Sequence, residues 1–294
     1  YTEVSGIKKF IIGLSGGIDS AVSLFLLQKV VGKENIIAVN MPSKYNSEKT
    51  KTAAKKIAEK LGIRYEVIPI ENIFNKQNEE ISKVFPNCSD LNTENEQARI
   101  RGAVILAGVA ARENAVFINN SNKTEIFLGY STYLGDMNGC FCPLGDLLKY
   151  EVYDLGRFIN ERFGDPIPWN LFPDEYYQFN NETDIKPSAE LKNNQVDPIK
   201  IKYHDAIIEQ IMDYKKISVK TIKQWHKDGV LAEKLGIDPY LIEIYGMSNY
   251  SKFEKDIDWL YGLMKKNVWK RIQSPPVVVL SKTAFGFDLR ESIL

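Results

Sequence analysis

The 294-residue chain is long enough for one large α/β domain or two small ones. Its 44% hydrophobic and 26% charged residues are ordinary for a globular protein. Basic and acidic residues number 38 each, so the net charge of zero argues against a polybasic nucleic-acid surface. No apolar run approaches the roughly 18 residues of a membrane span, and the cysteines lack zinc-site spacing. We therefore expect a cytoplasmic protein without a membrane or nucleic-acid partner.

The N-terminal quarter of the chain alternates predicted strands and helices. Strands are predicted at 10–14, 36–40 and 65–69, and helices at 19–31 and 47–61. This order is typical of parallel strands joined by right-handed crossovers. Ligands bind at the carboxyl ends of such strands. The turn after the first strand is therefore the first candidate site.

That turn has the sequence Ser-Gly-Gly-Ile-Asp-Ser. Gly16 and Gly17 let the backbone approach a ligand without a Cβ clash, and the unpaired N–H groups at the start of the next helix favour phosphate. Ser15 and Ser20 add hydroxyl donors, and Asp19 is placed to hold a metal beside the phosphates. The plain alternative is a glycine-rich turn with a Ser or Asp helix cap, which is common in α/β proteins.

The rest of the chain continues this alternation and then becomes helical. A helix at 94–111 has a broad small and apolar face, which indicates either a core helix or one that also packs against a second subunit. A strand at 115–119 ends in a polar turn at 120–125, which by topology lies beside the first loop. The other predicted segments are a polar helix and loop at 71–92, helices at 149–163, 203–214, 218–227, 238–245 and 250–268, a long loop at 164–202, and an extended tail at 275–280.

These elements predict an α/β fold with a doubly wound, Rossmann-like parallel sheet and a helical C-terminal elaboration. The sequence has no internal repeat or low-complexity linker. We therefore expect one domain over 1–294, with 164–202 as a functional or mobile loop inside it. His204 and His226 lie in helical surface patterns, so we expect both to be structural or solvated rather than catalytic.

The hexapeptide at residues 15–20 resembles the pyrophosphate loop of the ATP pyrophosphatases, which cleave ATP to AMP and pyrophosphate. Later motifs are similar, in the same order, to those of the NAD synthetases in that superfamily. They are Gln97-Ala98-Arg99, Asn122-Lys123-Thr124-Glu125, Leu128-Gly129-Tyr130, Gly135-Asp136-Met137, Pro143-Leu144-Gly145-Asp146, Lys149, Lys186-Pro187-Ser188-Ala189-Glu190-Leu191 and Lys270-Arg271. The resemblance covers nearly the whole chain.

The resemblance implies a two-step amidation. The carboxylate of nicotinic acid adenine dinucleotide attacks the α-phosphate of ATP to give an adenylate and pyrophosphate, and ammonia then displaces AMP to give NAD. A carboxylate oxygen is a poor leaving group, and adenylation supplies a better one. Bringing two anions together calls for Mg²⁺ and cationic side chains. We also expect a homodimer.

The resemblance also implies roles for individual residues. Asp19 and Glu125 would hold the metal, and together with Lys149 they form the expected catalytic set. ATP would contact Ser15, Gly16, Gly17, Ile18, Asp19, Ser20, Met41, Asn120, Lys149 and Ser188. The dinucleotide would contact Arg99, Glu125, Tyr130, Ser131, Thr132, Tyr133 and Lys270.

Each of these assignments has a plain structural alternative. Asp19, Glu125 and Ser188 also suit helix starts and caps. A lone lysine or arginine is often solvated or in a surface salt bridge, and Met41 and the two tyrosines also suit a packed core. These alternatives stay open at the level of sequence.

Three positions depart from the ammonia-dependent branch: Tyr133 stands where Lys is usual, Cys140 where Asp is usual, and Asn120 where Thr is usual. The segments at 41–43 and 132–137 and the Phe-Gly near 285 look closer to the glutamine-dependent branch, whose members carry an additional amidase domain. Because there is no room for that domain before residue 10, we expect either a free-standing ammonia user or a synthetase whose glutaminase is a separate protein. The alternatives are another ATP-pyrophosphatase ligase and a nucleotide-binding regulatory protein that has lost catalysis.

Overall fold

The computed structural model describes residues 2–192, 195, 197–212 and 216–285. The elements up to the fourth strand are α1 (Thr2–Ser5), β1 (Phe10–Gly13), α2 (Ile18–Val31), β2 (Ile36–Asn40), α3 (Glu48–Leu61), β3 (Arg64–Val67), α4 (Glu71–Ser82), α5 (Asp90–Arg99), a π-helical segment (Ile100–Leu106), α6 (Ala107–Glu113) and β4 (Val116–Ile118). The elements that follow are α7 (Lys123–Leu128), α8 (Lys149–Phe163), a 3-10 turn (Trp169–Leu171), α9 (Tyr203–Met212), α10 (Val219–Lys227), α11 (Leu231–Leu235), α12 (Pro239–Ile244), α13 (Tyr250–Lys266) and α14 (Val268–Arg271).

The four strands form one parallel sheet with the order β3-β2-β1-β4. The first two strands are almost wholly apolar because helices cover both faces of the sheet. Ile12 and Ala38 pack against α2, α3 and α8 on one face, while Ile11 and Ile37 pack against α4, the π-helical segment and α6 on the other. The predicted α/β fold with a parallel sheet is therefore confirmed.

A separate apolar cluster holds the C-terminal helices together. It joins α7 to α9, α10, α11, α12 and α13 through buried side chains such as Phe127, Ile207 and Phe253. The extended tail contacts this region through a parallel bridge between Cys142 and Val277. No helix in the described part of the chain is both long and apolar enough to cross a membrane.

Some local predictions differ from the structure. Residues 123–125, predicted as a turn, form the first turn of α7, because the Asn122 side chain caps that helix. The predicted helix at 94–111 is longer and contains the π-helical segment, which apolar periodicity does not reveal. The end of the predicted helix at 203–214 and residues 193, 194 and 196 of the predicted loop lie outside the described residues, as do residues 286–294.

His204 is fully buried, although the sequence pattern indicated a helix surface. Its Nδ1 accepts a hydrogen bond from the Lys200 N–H at 3.0 Å, so Nε2 carries the ring proton and donates to Asp256 at 2.9 Å. Burial lowers the pKa of His204 below its ordinary value, although Asp256 opposes that shift. His204 is therefore structural, as expected, but it is a neutral side chain in the core and does not lie on the helix surface.

This burial predicts a pH dependence of stability. Below pH 6.5, the ordinary pKa of histidine, the unfolded chain binds a proton that the folded chain resists, so the free energy of unfolding should fall as the pH decreases towards about 5. One such group contributes a slope of at most about 1.4 kcal/mol per pH unit. Urea denaturation at several pH values should show a shallower slope for His204→Asn. Equal slopes in the two proteins would contradict this account.

Candidate functional site

The loop between β1 and α2 is folded onto itself by its own hydroxyl groups. Ser15 Oγ accepts a hydrogen bond from the Gly17 N–H at 3.3 Å, and Ser20 Oγ donates to the Gly17 carbonyl at 3.0 Å. Gly17 is the N-cap of α2, and it has no side chain with which to cap the helix. The first N–H groups of α2 are therefore not capped by a side chain, which makes this helix start suited to bind an anion.

Gly16 sets the distance between this loop and α3. Its φ is +90°, in the left-handed region that favours glycine. A Cβ atom at this position would lie 2.1 Å from the Thr50 carbonyl oxygen, well inside van der Waals contact. Only glycine lets the loop pack this closely on the helix.

Replacing Gly16 by Ala should therefore lower the free energy of unfolding by about 2 kcal/mol or more, because both the backbone strain and the clash oppose the native loop. Gly17→Ala is the matched control. Gly17 has φ −90°, and its Cβ would meet only Ser15 Oγ at 3.5 Å. Chemical denaturation of both variants tests this prediction, and equal losses would contradict it.

Asp19, Lys149 and Glu125 form a half-buried charged cluster beside the loop. Lys149 Nζ donates to Asp19 Oδ2 at 2.5 Å and lies 3.7 Å from Glu125 Oε1. The Lys149 side chain is 7% exposed, and the two carboxylates are about one-fifth exposed. Burial alone would lower the pKa of Lys149, but the two carboxylates outweigh it and raise that pKa. Lys149 is therefore a positively charged residue within the site and not a solvated surface lysine.

The second carboxylate is held by the start of α7. Asn122 Oδ1 accepts a hydrogen bond from the Glu125 N–H at 3.0 Å, and Glu125 Oε2 accepts one from the Asn122 N–H at 3.2 Å. The Asn122 amide also donates to Asp19 Oδ1 at 2.9 Å, which links the two carboxylates. Burial and the neighbouring Asp19 raise the pKa of Glu125 to about 8, despite the opposing charge of Lys149. The raised pKa means that ionising Glu125 beside Asp19 is unfavourable, and a cation bound between the two carboxylates would relieve this repulsion.

These groups line a cavity of about 310 Å³ at the carboxyl ends of β1, β2 and β4, within the range of small-molecule sites. The predicted site residues that line it are Ser15, Gly17, Ile18, Asp19, Ser20, Met41, Asn120, Glu125, Tyr130, Lys149 and Ser188. Asn120 donates through Nδ2 to the Gly13 carbonyl at 2.8 Å, while its buried Oδ1 has no hydrogen-bond partner. That oxygen is an acceptor available to a ligand.

The remaining predicted site residues lie outside this cavity: Gly16, Arg99, Ser131, Thr132, Tyr133 and Lys270. Apart from Gly16, they surround one turn of the chain. Lys270 Nζ donates to the Gly129 and Ser131 carbonyls at 2.8 and 2.7 Å, and Arg99 Nε donates to the Tyr133 carbonyl at 3.3 Å. Their role in binding a dinucleotide stays a prediction.

Sequence reasoning gave no site role to two further charged residues that line the cavity, Glu190 and Arg101. Glu190 accepts hydrogen bonds from Asn46 Nδ2 at 2.7 Å and Thr50 Oγ1 at 2.9 Å. Arg101 Nε donates to the Met41 carbonyl at 3.0 Å, and burial lowers its pKa to about 10. Glu190 thus fastens part of the predicted long loop to the start of α3. No local pattern indicates this contact, because its partners are 140 or more residues apart in sequence.

A parallel sheet with a helix start suited to an anion and a carboxylate–lysine cluster at its carboxyl edge is typical of nucleotide-binding α/β proteins. The family profile described as NAD synthase matches residues 1–235. The chain belongs to the NAD synthase family.

Individual relatives agree with this assignment. The chain is 32% identical to a glutamine-dependent NAD(+) synthetase of Thermotoga maritima, over 100% of this chain and 45% of the relative. It is 31% identical to an NH(3)-dependent NAD(+) synthetase of Chlorobaculum tepidum, over 97% of this chain and 87% of the relative. Among solved structures, it resembles the glutamine-dependent NAD+ synthetase of Acinetobacter baumannii in complex with ADP, with a TM-score of 0.57, 26% identity, and coverage of 100% of this chain and 47% of that one. The chain thus spans about half the length of its glutamine-dependent relatives.

Proposed function

We propose that this chain is the synthetase domain of an ATP-dependent ligase that amidates nicotinic acid adenine dinucleotide to NAD and releases AMP and pyrophosphate. The observation that carries the proposal is the Asp19–Lys149–Glu125 cluster, which lies next to an uncapped helix start in one cavity. Family membership and the ADP complex of the Acinetobacter baumannii relative support an adenine nucleotide in this cavity. They also make another kind of ATP-pyrophosphatase ligase the weaker alternative.

In the first step the ATP phosphates would bind the N–H groups at the start of α2 and the hydroxyls of Ser15 and Ser20. The adenosine end would lie towards Met41 and Ser188, which also line the cavity. A carboxylate oxygen of the dinucleotide attacks the α-phosphorus, and the bond to the β,γ-pyrophosphate breaks. The Lys149 ammonium stabilises the charge that develops on the phosphate oxygens.

The carboxylates of Asp19 and Glu125 fit a Mg²⁺ ion, because Mg²⁺ prefers oxygen ligands and binds through one or two carboxylates plus substrate phosphates. Among the described residues, no three or more His, Cys, Asp or Glu side chains are arranged to hold a metal by themselves. This fits an ion whose shell is completed by phosphates and water. When bound, it supplies positive charge to the phosphates.

In the second step ammonia attacks the carbonyl carbon of the adenylate, and AMP leaves with the bridging oxygen. The dinucleotide would be held by Tyr130 and by the turn that includes Ser131, Thr132 and Tyr133, with Arg99 and Lys270 nearby. Arginine suits this task because its planar guanidinium grips phosphate or carboxylate. We further propose a homodimer that works in the cytoplasm, with residues 1–294 as one domain.

The nitrogen donor we propose is ammonia, supplied free or by a separate glutaminase. The similarity to the NH(3)-dependent relative over most of its length supports free ammonia. The test is to supply the purified chain with ATP, Mg²⁺ and the deamido dinucleotide, together with either ammonia or glutamine. We expect AMP, pyrophosphate and NAD with ammonia only. Formation of ADP would refute the proposal, and tight nucleotide binding without AMP formation would favour a regulatory protein that has lost catalysis.

A further inference from the structure

The carboxylate of Asp205 is fully buried behind the charged cluster, outside the cavity. It lies in α9, which directly follows the long segment 164–202. Its Oδ1 accepts a hydrogen bond from Thr124 Oγ1 at 2.5 Å, and its Oδ2 accepts from the Tyr150 and Lys202 N–H groups at 3.1 and 3.0 Å. Three elements of the chain therefore meet at this one carboxylate.

The Thr124 hydroxyl connects this carboxylate to the cluster. It donates to Asp205 and accepts a hydrogen bond from the Lys149 N–H at 3.0 Å. Thr124 directly precedes Glu125 in α7, and Lys149 is the first residue of α8. Lys149 and Glu125 contact one another in the site. The Thr124 hydroxyl therefore links the backbone of Lys149 to the residue next to Glu125.

The start of α8 needs such support from elsewhere. Its N-cap is Leu148, whose side chain has no oxygen with which to cap the helix. Asp205 satisfies the Tyr150 N–H directly, and Thr124 satisfies that of Lys149. The first turn of α8, and with it the origin of the Lys149 side chain, is therefore fixed by a carboxylate 55 residues away.

We propose that Asp205, acting through the Thr124 hydroxyl, is a positioning residue that holds Lys149 and Glu125 in their relative places for adenylate formation. This inference rests on the proposed function. A displacement of about 1 Å at reacting groups can cost a hundredfold in rate. Small shifts of the backbone at Thr124 and at the start of α8 should therefore have a measurable effect on the rate. Asp205 itself does not line the cavity.

The test is a pair of substitutions at Thr124. Thr124→Val keeps the shape but removes the hydroxyl, while Thr124→Ser keeps the hydroxyl. We expect Thr124→Val to lower kcat by about tenfold or more, with KM for ATP changed less than about threefold because the loop after β1 still binds the phosphates. Thr124→Ser should keep most of the parent kcat.

Asp205 provides an independent pair. In Asp205→Asn the amide oxygen can still accept from Tyr150 and Lys202, and its NH₂ can donate to Thr124, so most activity should remain. Asp205→Ala leaves these donors unsatisfied and should lose activity. If Asp205→Ala fails to fold, the Thr124 pair decides. Parent-like kcat in Thr124→Val would overturn the proposal, and so would a loss in which kcat, KM and melting temperature worsen together.

A second readout separates this inference from the proposed function. Without the hydroxyl, the Lys149 amide loses its acceptor, so its hydrogen exchange measured by NMR should accelerate at least about tenfold in Thr124→Val and not in Thr124→Ser. A parent protein that forms no AMP would refute the proposed function but leave this test intact. Unchanged hydrogen exchange of the Lys149 amide in Thr124→Val would refute the proposed link between Thr124 and Lys149.

Discussion

Asp19→Asn is expected to reduce AMP formation by at least about a hundredfold, which is the size of effect seen when one preorganised charged or polar group is removed from a reaction centre. Asp19 contacts Lys149 at 2.5 Å and Asn122 at 2.9 Å, and it lies at the start of α2, directly after the loop that follows β1. The asparagine side chain keeps the size of aspartate but removes the charge that would bind Mg²⁺. The effect should therefore fall on turnover and on Mg²⁺ affinity, which steady-state kinetics at several Mg²⁺ concentrations would measure.

The control for this variant is Asp154→Asn. Asp154 is exposed and pairs with the partly buried Arg157 in α8, and ion pairs with an exposed partner contribute little to stability. It should keep parent activity. A folded Asp19→Asn protein that turns over like Asp154→Asn would remove Asp19 from the proposed metal site.

Lys149→Met is expected to affect both stability and catalysis. The lysine is buried between two carboxylates, and breaking a buried pair by removing one partner costs about 3–5 kcal/mol, since it leaves charge uncompensated. Loss of the ammonium beside the transferred phosphate should also lower kcat by about a hundredfold. Chemical denaturation and single-turnover AMP formation measure the two effects separately.

A surface lysine provides the comparison. Lys76 pairs with Glu79 and Glu80 along an exposed face of α4 and does not line the cavity. Lys76→Met should change the free energy of unfolding by less than about 1 kcal/mol and leave kcat unchanged. Similar behaviour of the two lysine variants would mean that the charge of Lys149 has no special role.

The sheet and the glycine-rich turn between β1 and α2 could be predicted because their determinants are local. Apolar runs, glycine stops and the Ser-Gly-Gly-Ile-Asp-Ser turn lie within short windows of sequence. Strand order then brings Asp19 and Glu125 to neighbouring strand ends, since β1 pairs with β4. The family resemblance supplied Lys149, which residue patterns alone would have left as a solvated lysine.

The supporting contacts could not be predicted, because they join distant parts of the chain. Glu190 meets α3, and Asp205 meets Thr124 from 81 residues away. Such pairs depend on how distant segments pack against one another, and no short stretch of the sequence shows that packing. The same limit applies to His204, whose burial follows from neighbours in α13.

The most direct test of the account follows one oxygen atom. The deamido dinucleotide is labelled with ¹⁸O in its carboxylate and incubated with the purified chain, ATP, Mg²⁺ and ammonia, and the nucleotide product is examined by mass spectrometry. If the carboxylate attacks the α-phosphorus, each AMP formed carries one ¹⁸O atom. AMP without the label, or ADP as the product, would contradict adenylate formation and with it the proposed function.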